Sequence, residues 1–264
     1  MSLNTLRNIT IYGKNLSSKY LPFIYQEIKF LYQTVLSNLY SNNLYALAHI
    51  FRTDKLGDHD YIEKYVTHFL PLKNKNNTIL EIGIGGYSGD LTGGNSLRMW
   101  KHYFKNSQIY GIDLHDKSHV QEHRITAFQG SQDNENFLNR VVDSIGVIDI
   151  VIDDGSHING HVIDTFKILF PSLSENGMYI IEDTQTSYWP KFGGDSYDLN
   201  NPKTTVGFFK TLVDGLNHRE IARTGYASSY LDCNIKSIHF YRNQIFIYKG
   251  NNNFRSKYSH RYLY

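Results

Sequence analysis

The stretch Ile148-Asp-Ile-Val-Ile-Asp-Asp-Gly-Ser-His157 decides the fold of this chain. Its apolar, β-branched first half is typical of a strand that is buried on both faces of a parallel sheet. The run ends abruptly in two carboxylates, a turn-forming glycine, a serine and a histidine. Because ligands of open α/β sheets bind beyond the carboxyl ends of the strands, the sequence predicts a functional site where this strand ends.

A second apolar run, Met178-Tyr-Ile-Ile-Glu-Asp183, also ends in acids. The carboxyl ends of parallel strands meet at one edge of a sheet, so the two groups of acids are expected to lie close together. Two neighbouring strands that each present carboxylates at one edge predict a metal site.

A glycine-rich turn precedes both runs. Thr78-Ile-Leu-Glu-Ile-Gly-Ile-Gly-Gly86 is predicted to be a strand that enters a turn, and helical spacing follows from Asn95 to Phe104. Glycines let the backbone pass close to a ligand, although tight turns use the same residues. A further strand ends at Asp113, about 30 residues beyond the first glycine, where a ribose-binding carboxylate is expected.

Strands and helices alternate through the middle of the chain. A third strand is predicted over 125–130, helices over 137–145, 161–173 and 204–222, and a β-hairpin over 235–241 and 245–249. This order predicts an α/β fold with a doubly wound, mostly parallel sheet and an antiparallel C-terminal hairpin. Pro171 is expected to truncate the helix in which it falls.

Three regions are predicted: an N-terminal helical extension with a covering loop (1–70), a cofactor-binding catalytic domain (71–250) and a basic, aromatic tail (251–264). The amphipathic helical segment over 17–50 is interpreted either as a core helix or as a surface for homo-oligomerisation. The polar loop that follows is either a helix start capped by Asp58 or Asp60, or a flap over a polar ligand.

The segment 184–202 has no regular period and is rich in aromatic residues, including Tyr188 and Trp189. Long loops beyond a strand's carboxyl end are usually functional, and aromatic faces give stacking platforms for sugar rings or planar acceptors. The alternative is that these aromatic side chains form a local core.

Composition limits the classes of function. A formal net charge of +2 over 264 residues gives no indication of nucleic-acid binding. The single cysteine suits a reducing compartment, and no apolar run reaches the ~20 residues that span a bilayer. The sequence therefore predicts a soluble, cytoplasmic protein without a membrane span. His115, His119 and His123 share one face if helical, but exposed helical histidines are common, so we do not assign a metal to them.

The motifs together resemble those of class I S-adenosylmethionine-dependent methyltransferases, and within that class the metal-dependent sugar O-methyltransferases of macrolide and related glycoside pathways. The resemblance covers about residues 50–250. It is carried by the glycine turn and, more specifically, by Thr53-Asp-Lys55, Ile152-Asp-Asp-Gly-Ser-His157 and Ile181-Glu-Asp-Thr-Gln-Thr-Ser-Tyr-Trp189. It implies a seven-stranded sheet whose antiparallel last strand lies between strands five and six. The family's larger N-terminal auxiliary domain is expected to be reduced here to the helical segment.

The resemblance implies roles for individual residues. S-adenosylmethionine would contact the glycine turn and the ends of the neighbouring strands, through Glu81, Gly83, Gly85, Asp113, Ser131, Gln132, Asp133 and Asp153. Mg²⁺ would be bound by Asp154, Glu182 and Asp183, oxygen ligands that suit a hard cation. His157 would act as general base on a hydroxyl acidified by the cation, with Asp154 as the second catalytic residue. The acceptor, a small carbohydrate, would contact Lys55, His59, Tyr61, Tyr188 and Trp189.

Three alternatives to a sugar O-methyltransferase remain at this point: a catechol- or phenol-type O-methyltransferase with the same metal site, a nicotinamide-dependent oxidoreductase that uses the same glycine turn, and an inactive binding protein of this fold. The sequence leaves the acceptor open, and it leaves open whether Mg²⁺ or Mn²⁺ is the working metal.

Overall fold

The computed structural model describes residues 22–57, 59–86 and 92–254, with side chains from residue 31 onward within those ranges. Its described residues form two compact units, one from residue 22 to Lys75 together with Arg98–Lys105, and one from Asn76 to Leu97 together with residues 106–254. The residues before 22 and those beyond 254, which include most of the predicted tail, lie outside the described chain. None of the helices described here combines the length and hydropathy needed to cross a bilayer.

The second unit is built on a seven-stranded sheet in the order β3-β2-β1-β4-β5-β7-β6. The strands are β1 (Thr78–Ile82), β2 (Gln108–Asp113), β3 (Ile125–Gln129), β4 (Ile148–Asp153), β5 (Leu173–Glu182), β6 (Ile235–Tyr241) and β7 (Gln244–Lys249). The first five strands are parallel, whereas β7 runs antiparallel to both β5 and β6. This arrangement confirms the predicted fold class, including the antiparallel strand inserted between the fifth and sixth strands.

The central strand β4 lies between β1 and β5 and is buried except at the partly exposed Asp149, as its mainly apolar composition predicts. Helices α4 (Asn95–Tyr103), α5 (Glu135–Ile145), α6 (Asn159–Leu169), α7 (Thr205–Thr211) and α8 (Tyr230–Asn234) complete this part of the chain, α4 continuing into the first unit. Apolar residues of α5, α6 and α7 pack with the strands in one hydrophobic core.

The first unit contains α1 (Pro22–Leu39), α2 (Leu44–Phe51) and α3 (Ile62–Phe69), in agreement with the helical spacing of this part of the sequence. Its core is aromatic: the Trp100 ring lies 5.0 Å from that of Tyr65 and 5.4 Å from that of Phe69. The expected aspartate cap of α3 is wrong for Asp60, because Tyr61 is the N-cap residue and makes no capping hydrogen bond through its side chain. Asp58 lies outside the described residues.

Two predicted helices differ from the structure. The helix expected over 161–173 spans 159–169, and a 3₁₀ turn, Phe170–Ser172, follows because Pro171 has no N–H to continue it. The fifth strand therefore begins as early as Leu173. The helix expected over 204–222 begins at Thr205 but is shorter than predicted: α7 ends at Thr211, and the 3₁₀ segment Asp214–Glu220 that follows contains a non-helical residue, Asn217.

Candidate active site

The ends of β1, β4 and β5 form the edge at which the candidate residues collect. The Asp154 amide donates to the Ile82 carbonyl at 2.9 Å, so the turn after β4 follows the end of β1. On the other side, Asp153 is in register with Ile181, which places the acids that end β5 beside the turn after β4. The topology therefore brings together the two acidic strand ends that the sequence singled out.

Asp154, His157 and Asp183 form the one group in the described chain whose carboxylate and imidazole atoms could share a metal ion, with all ligand atoms within 4.8 Å of one another. The Nε2 atom of His157 lies 3.5 Å from Oδ2 of Asp183. All three side chains are partly exposed, so a ligand and solvent can reach them. Two carboxylates at this spacing fit a hard divalent cation, which prefers oxygen ligands.

His157 and Asp183 both adopt left-handed backbone conformations, with φ of 56° and 54°. Non-glycine residues rarely do so, although His, Asp and Asn are the most tolerant types, and such residues concentrate at functional sites. The two turns thus hold an unfavourable backbone geometry that points their side chains toward each other.

Glu182, the third acid of the predicted metal site, is not part of this group. It is the last residue of β5, is 3% exposed, and pairs in register with Gln244 of β7. The structure therefore presents His157 where the sequence analysis expected Glu182, and the roles of both residues stay predictions.

The glycine turn after β1 has the shape of a ligand cradle. Gly83 has a φ of +79°, and a Cβ there would lie 2.0 Å from the Asp154 carbonyl oxygen, so only glycine allows the turn to pack on the end of β4. A Cβ at Gly85 would instead project into open space. The Asp113 carboxylate accepts hydrogen bonds from the backbone N–H groups of Ile84 and His115, at 3.2 and 2.9 Å. Room beside a glycine turn fits a nucleoside cofactor, as does an acid at the end of β2.

Asp153 is turned away from solvent into a buried polar network. Its carboxylate accepts hydrogen bonds from the Tyr179 hydroxyl at 3.1 Å and the Gln132 amide at 3.2 Å. Burial raises the pKa of the Asp153 carboxyl to about 6, against the opposing effect of these two hydrogen bonds. The Gln132 Oε1 atom accepts from the Ser156 N–H at 2.6 Å. The predicted cofactor residues Asp153 and Gln132 therefore also fix the turn that leads to His157.

The remaining adenine-side candidates lie nearer the surface. A hydrogen bond from Ser131 lowers the pKa of the exposed Asp133 carboxyl. Oδ2 of Asp133 lies 3.7 Å from Nε2 of His161, whose Nδ1 is 3.1 Å from the Ser156 hydroxyl. These contacts join the end of β3 to the start of α6 without using the metal candidates.

The aromatic loop after β5 begins with two 3₁₀ turns, Thr184–Tyr188 and Pro190–Phe192. Tyr188 and Trp189 are 39% and 49% exposed, so these two candidates are available to a ligand rather than buried in a local core. Trp189 also contacts the Phe192 ring, with centroids 6.0 Å apart.

Asn159 holds this loop, and the sequence analysis missed it. Its buried amide donates to the carbonyls of Thr186 and Phe192, at 3.1 and 2.8 Å, and accepts from the Thr205 N–H at 2.6 Å. Asn159 lies two positions beyond His157, shortly after the stretch of sequence that ends β4. Its polarity at the start of an otherwise apolar helix face was the available signal.

The remaining acceptor candidates, Lys55, His59 and Tyr61, lie in the first unit. Lys55 and Tyr61 are each 1% exposed, and the His59 ring stacks on Tyr61 with centroids 5.1 Å apart. Their contact with an acceptor stays a prediction.

Comparison with proteins of known function gives consistent matches. The chain is 46% identical over 208 residues to the 8-demethyl-8-α-L-rhamnosyl tetracenomycin-C 2′-O-methyltransferase of Streptomyces olivaceus, covering 78% of this chain and 54% of that protein. It is 44% identical over 212 residues to the mycinamicin VI 2″-O-methyltransferase of Micromonospora griseorubida, covering 80% of this chain and 53% of that protein. No family model matches the chain.

Solved structures give the same result. The mycinamicin-pathway methyltransferase MycE, in complex with Mg and SAH, has a TM-score of 0.78 and 43% identity, covering 81% of this chain and 56% of that one. A further MycE structure contains Mg, SAH and mycinamycin VI, with a TM-score of 0.77. The chain spans about half the length of the curated relatives it matches.

Proposed function

We propose that this chain, a homologue of the macrolide and tetracenomycin sugar O-methyltransferases with the class I methyltransferase fold, transfers a methyl group from S-adenosylmethionine to a sugar hydroxyl in a reaction that depends on Mg²⁺. The observation that carries the proposal is the group formed by Asp154, His157 and Asp183 beside the glycine turn. A cation site next to a nucleoside cradle suits methyl transfer to a hydroxyl, because a divalent cation acidifies the hydroxyl near which it binds.

In this proposal, Asp154 and Asp183 hold the cation, together with Glu182. Gly83, Gly85, Glu81 and Asp113 hold the cofactor, with Asp153, Gln132, Ser131 and Asp133 on its adenine side. When bound, Mg²⁺ makes a nearby alcohol a stronger acid and S-adenosylmethionine supplies the methyl group.

His157 removes the proton from the acceptor hydroxyl. Sugar hydroxyls are hardly ionised at neutral pH, so a positioned base contributes typically about 10²–10⁴ in rate. Asp183, 3.5 Å from the imidazole Nε2, stabilises the positive charge that His157 gains when it takes the proton. The buried network of Asp153, Gln132 and Ser156 keeps the His157 turn in place.

The acceptor class follows from the exposed aromatic loop and the relatives. Tyr188 and Trp189 offer apolar faces beside polar groups, which suits the alternating faces of a sugar ring. The relatives, by their names, methylate the 2′-oxygen of a rhamnosyl tetracenomycin and the 2″-oxygen of mycinamicin VI. Three further points stay predictions: the division into a helical extension and a catalytic domain, the cytoplasmic location, and homo-oligomerisation through the N-terminal helices.

The test is an acceptor screen with isotope-labelled S-adenosylmethionine, using free glycosides and nucleotide-activated sugars beside catechol. We expect label in a sugar product, loss of transfer with EDTA and recovery with Mg²⁺. Full transfer after exhaustive chelation contradicts the metal site. Transfer to catechol but to none of the sugars selects the phenol-type alternative.

A further inference from the structure

Gln244, the first residue of β7, carries a buried amide whose two polar atoms lack hydrogen-bond partners among the described residues. Its side chain is 0% exposed, and neither Oε1 nor Nε2 has a hydrogen-bond partner within the chain as described. Buried amides are almost always bonded, because desolvation without a partner is costly. An amide retained in this state indicates a partner that arrives with a ligand.

The sheet register places this amide beside the candidate metal site. Gln244 is the direct cross-strand partner of Glu182 in the antiparallel β5–β7 pair. Side chains of residues directly opposite each other lie on the same face, with Cβ atoms about 4.5–5.5 Å apart. An amide and a carboxylate on side chains of this length can therefore meet through a change of rotamer.

The backbone holds Gln244 at this position. The preceding residue, Asn243, has a φ of 60° in the hairpin turn, and its carbonyl accepts from the Thr184 N–H at 3.3 Å. Thr184 directly follows Asp183. The hairpin turn and the turn that carries the metal candidate are thus joined, and Gln244 directly follows the residue that joins them.

The apolar surroundings of Gln244 make its residue type informative. The rest of β7 reads Ile245-Phe-Ile-Tyr-Lys249, and Ile245, Phe246 and Ile247 are buried in the core. A side chain whose only task is to fill space at this position would be apolar as well.

We propose that Gln244 is a positioning residue for Glu182: its amide N–H donates to the Glu182 carboxylate and holds it toward the cation bound by Asp154 and Asp183. The inference rests on the proposed function, since it requires a cation at this edge. Groups that orient a metal ligand typically change metal affinity by 10–100-fold when they are removed.

The experiment measures Mn²⁺ affinity by electron paramagnetic resonance, together with thermal melting of the metal-free protein. The variants are Gln244→Met, Glu182→Gln and the double variant. Gln129→Met is the matched control, because Gln129 ends β3 at the same edge of the sheet, away from β5. Gln244→Leu repeats the loss of the amide with a different side-chain shape, in case Gln244→Met does not fold.

We expect Gln244→Met to weaken Mn²⁺ binding by 10–100-fold, with a melting temperature equal to or above that of the wild type, and Gln129→Met to leave the affinity unchanged. In the Glu182→Gln background the same substitution should change the affinity by less than about threefold, since its target is already lost.

Unchanged affinity in both Gln244 variants overturns the inference. An undiminished loss in the Glu182→Gln background overturns it too, because Gln244 would then act without Glu182. Wild-type protein that binds no Mn²⁺ contradicts the metal part of the proposed function instead, so the two failures are distinguishable.

Discussion

The amino-end edge and the carboxyl-end edge of the central sheet, where its parallel strands begin and end, carry the same types of polar residue in different roles. Strand β4 shows this difference within a single strand. Near its amino end, the Asp149 carboxylate accepts hydrogen bonds from the Thr78 N–H at 2.8 Å and the Ser174 hydroxyl at 2.6 Å. Just past its carboxyl end, Asp154 faces a histidine and a second carboxylate. The first aspartate is engaged by the fold itself, whereas the second belongs to a group that a cation would complete.

Buried amides repeat this contrast. At the amino edge, Asn77 donates to the Ser107 hydroxyl from both its backbone and its side chain, at 3.1 and 3.0 Å. At the carboxyl edge, the equally buried amide of Gln244 has no partner within the described chain. Satisfied polar groups stabilise a fold, and unsatisfied ones at a strand end indicate where a ligand belongs. Substitutions at matched positions on the two edges therefore test whether the functional site lies at the carboxyl edge.

The largest expected effect separates the two aspartates of β4. Asp154→Asn should abolish Mn²⁺ binding and lower kcat/KM for methyl transfer by about 10⁴-fold, because the cation supplies several kcal/mol of transition-state stabilisation. Asp149→Asn should cost about 1 kcal/mol of unfolding free energy through its weakened hydrogen bonds and change kcat/KM by less than about twofold. Steady-state kinetics and denaturant unfolding measure both. Equal losses of activity would mean that the contrast between the edges carries no functional information.

The second largest expected effect distinguishes two roles of His157 at the carboxyl edge of the sheet, as a general base or as a metal ligand. His157→Asn removes the base but keeps a residue type that tolerates the left-handed backbone. We expect kcat to fall by about 10³-fold, within the range for a general base, while Mn²⁺ affinity changes less than about threefold. Added imidazole should restore part of the rate. A 10- to 100-fold loss of Mn²⁺ affinity would instead make His157 the third ligand, in place of Glu182.

Much of this edge could be predicted because its signals are local. The apolar run of β4, the glycine turn and the acids at the strand ends each lie within a few residues of sequence, and the alternation of strands and helices orders them on the sheet. The helix expected over 204–222 was predicted too long because apolar spacing does not distinguish an α-helix from 3₁₀ turns. The regular helix stops at Thr211, and Asn217 within the following 3₁₀ segment has non-helical backbone angles.

Gln244 and Asn159 could not be predicted, because their meaning depends on distant partners. Asn159 bonds to Thr205, which is 46 residues away. Gln244 pairs with Glu182 only through the inserted antiparallel strand. A single polar residue within an apolar pattern gives no indication of what it will face.

The smallest expected effect concerns the aromatic loop and compares the two buried asparagines, Asn159 and Asn77. Asn159→Ala removes three hydrogen bonds that hold the loop bearing Trp189 and the start of α7. We expect the acceptor KM to rise about tenfold, equivalent to about 1.4 kcal/mol, with the affinity for S-adenosylhomocysteine unchanged. Acceptor saturation kinetics and calorimetry with S-adenosylhomocysteine measure these quantities.

Asn77→Ala is the control for that comparison, because it removes an equally buried amide from the amino edge, where its partner is Ser107. It should lower the unfolding free energy by about 1–3 kcal/mol and leave the acceptor KM unchanged. If both variants raise the acceptor KM equally, general loosening of the unit explains the result. A rise confined to Asn159→Ala means that the loop must be held in place for acceptor binding, and that the same asparagine that follows the proposed base also sets the position of the proposed sugar platform.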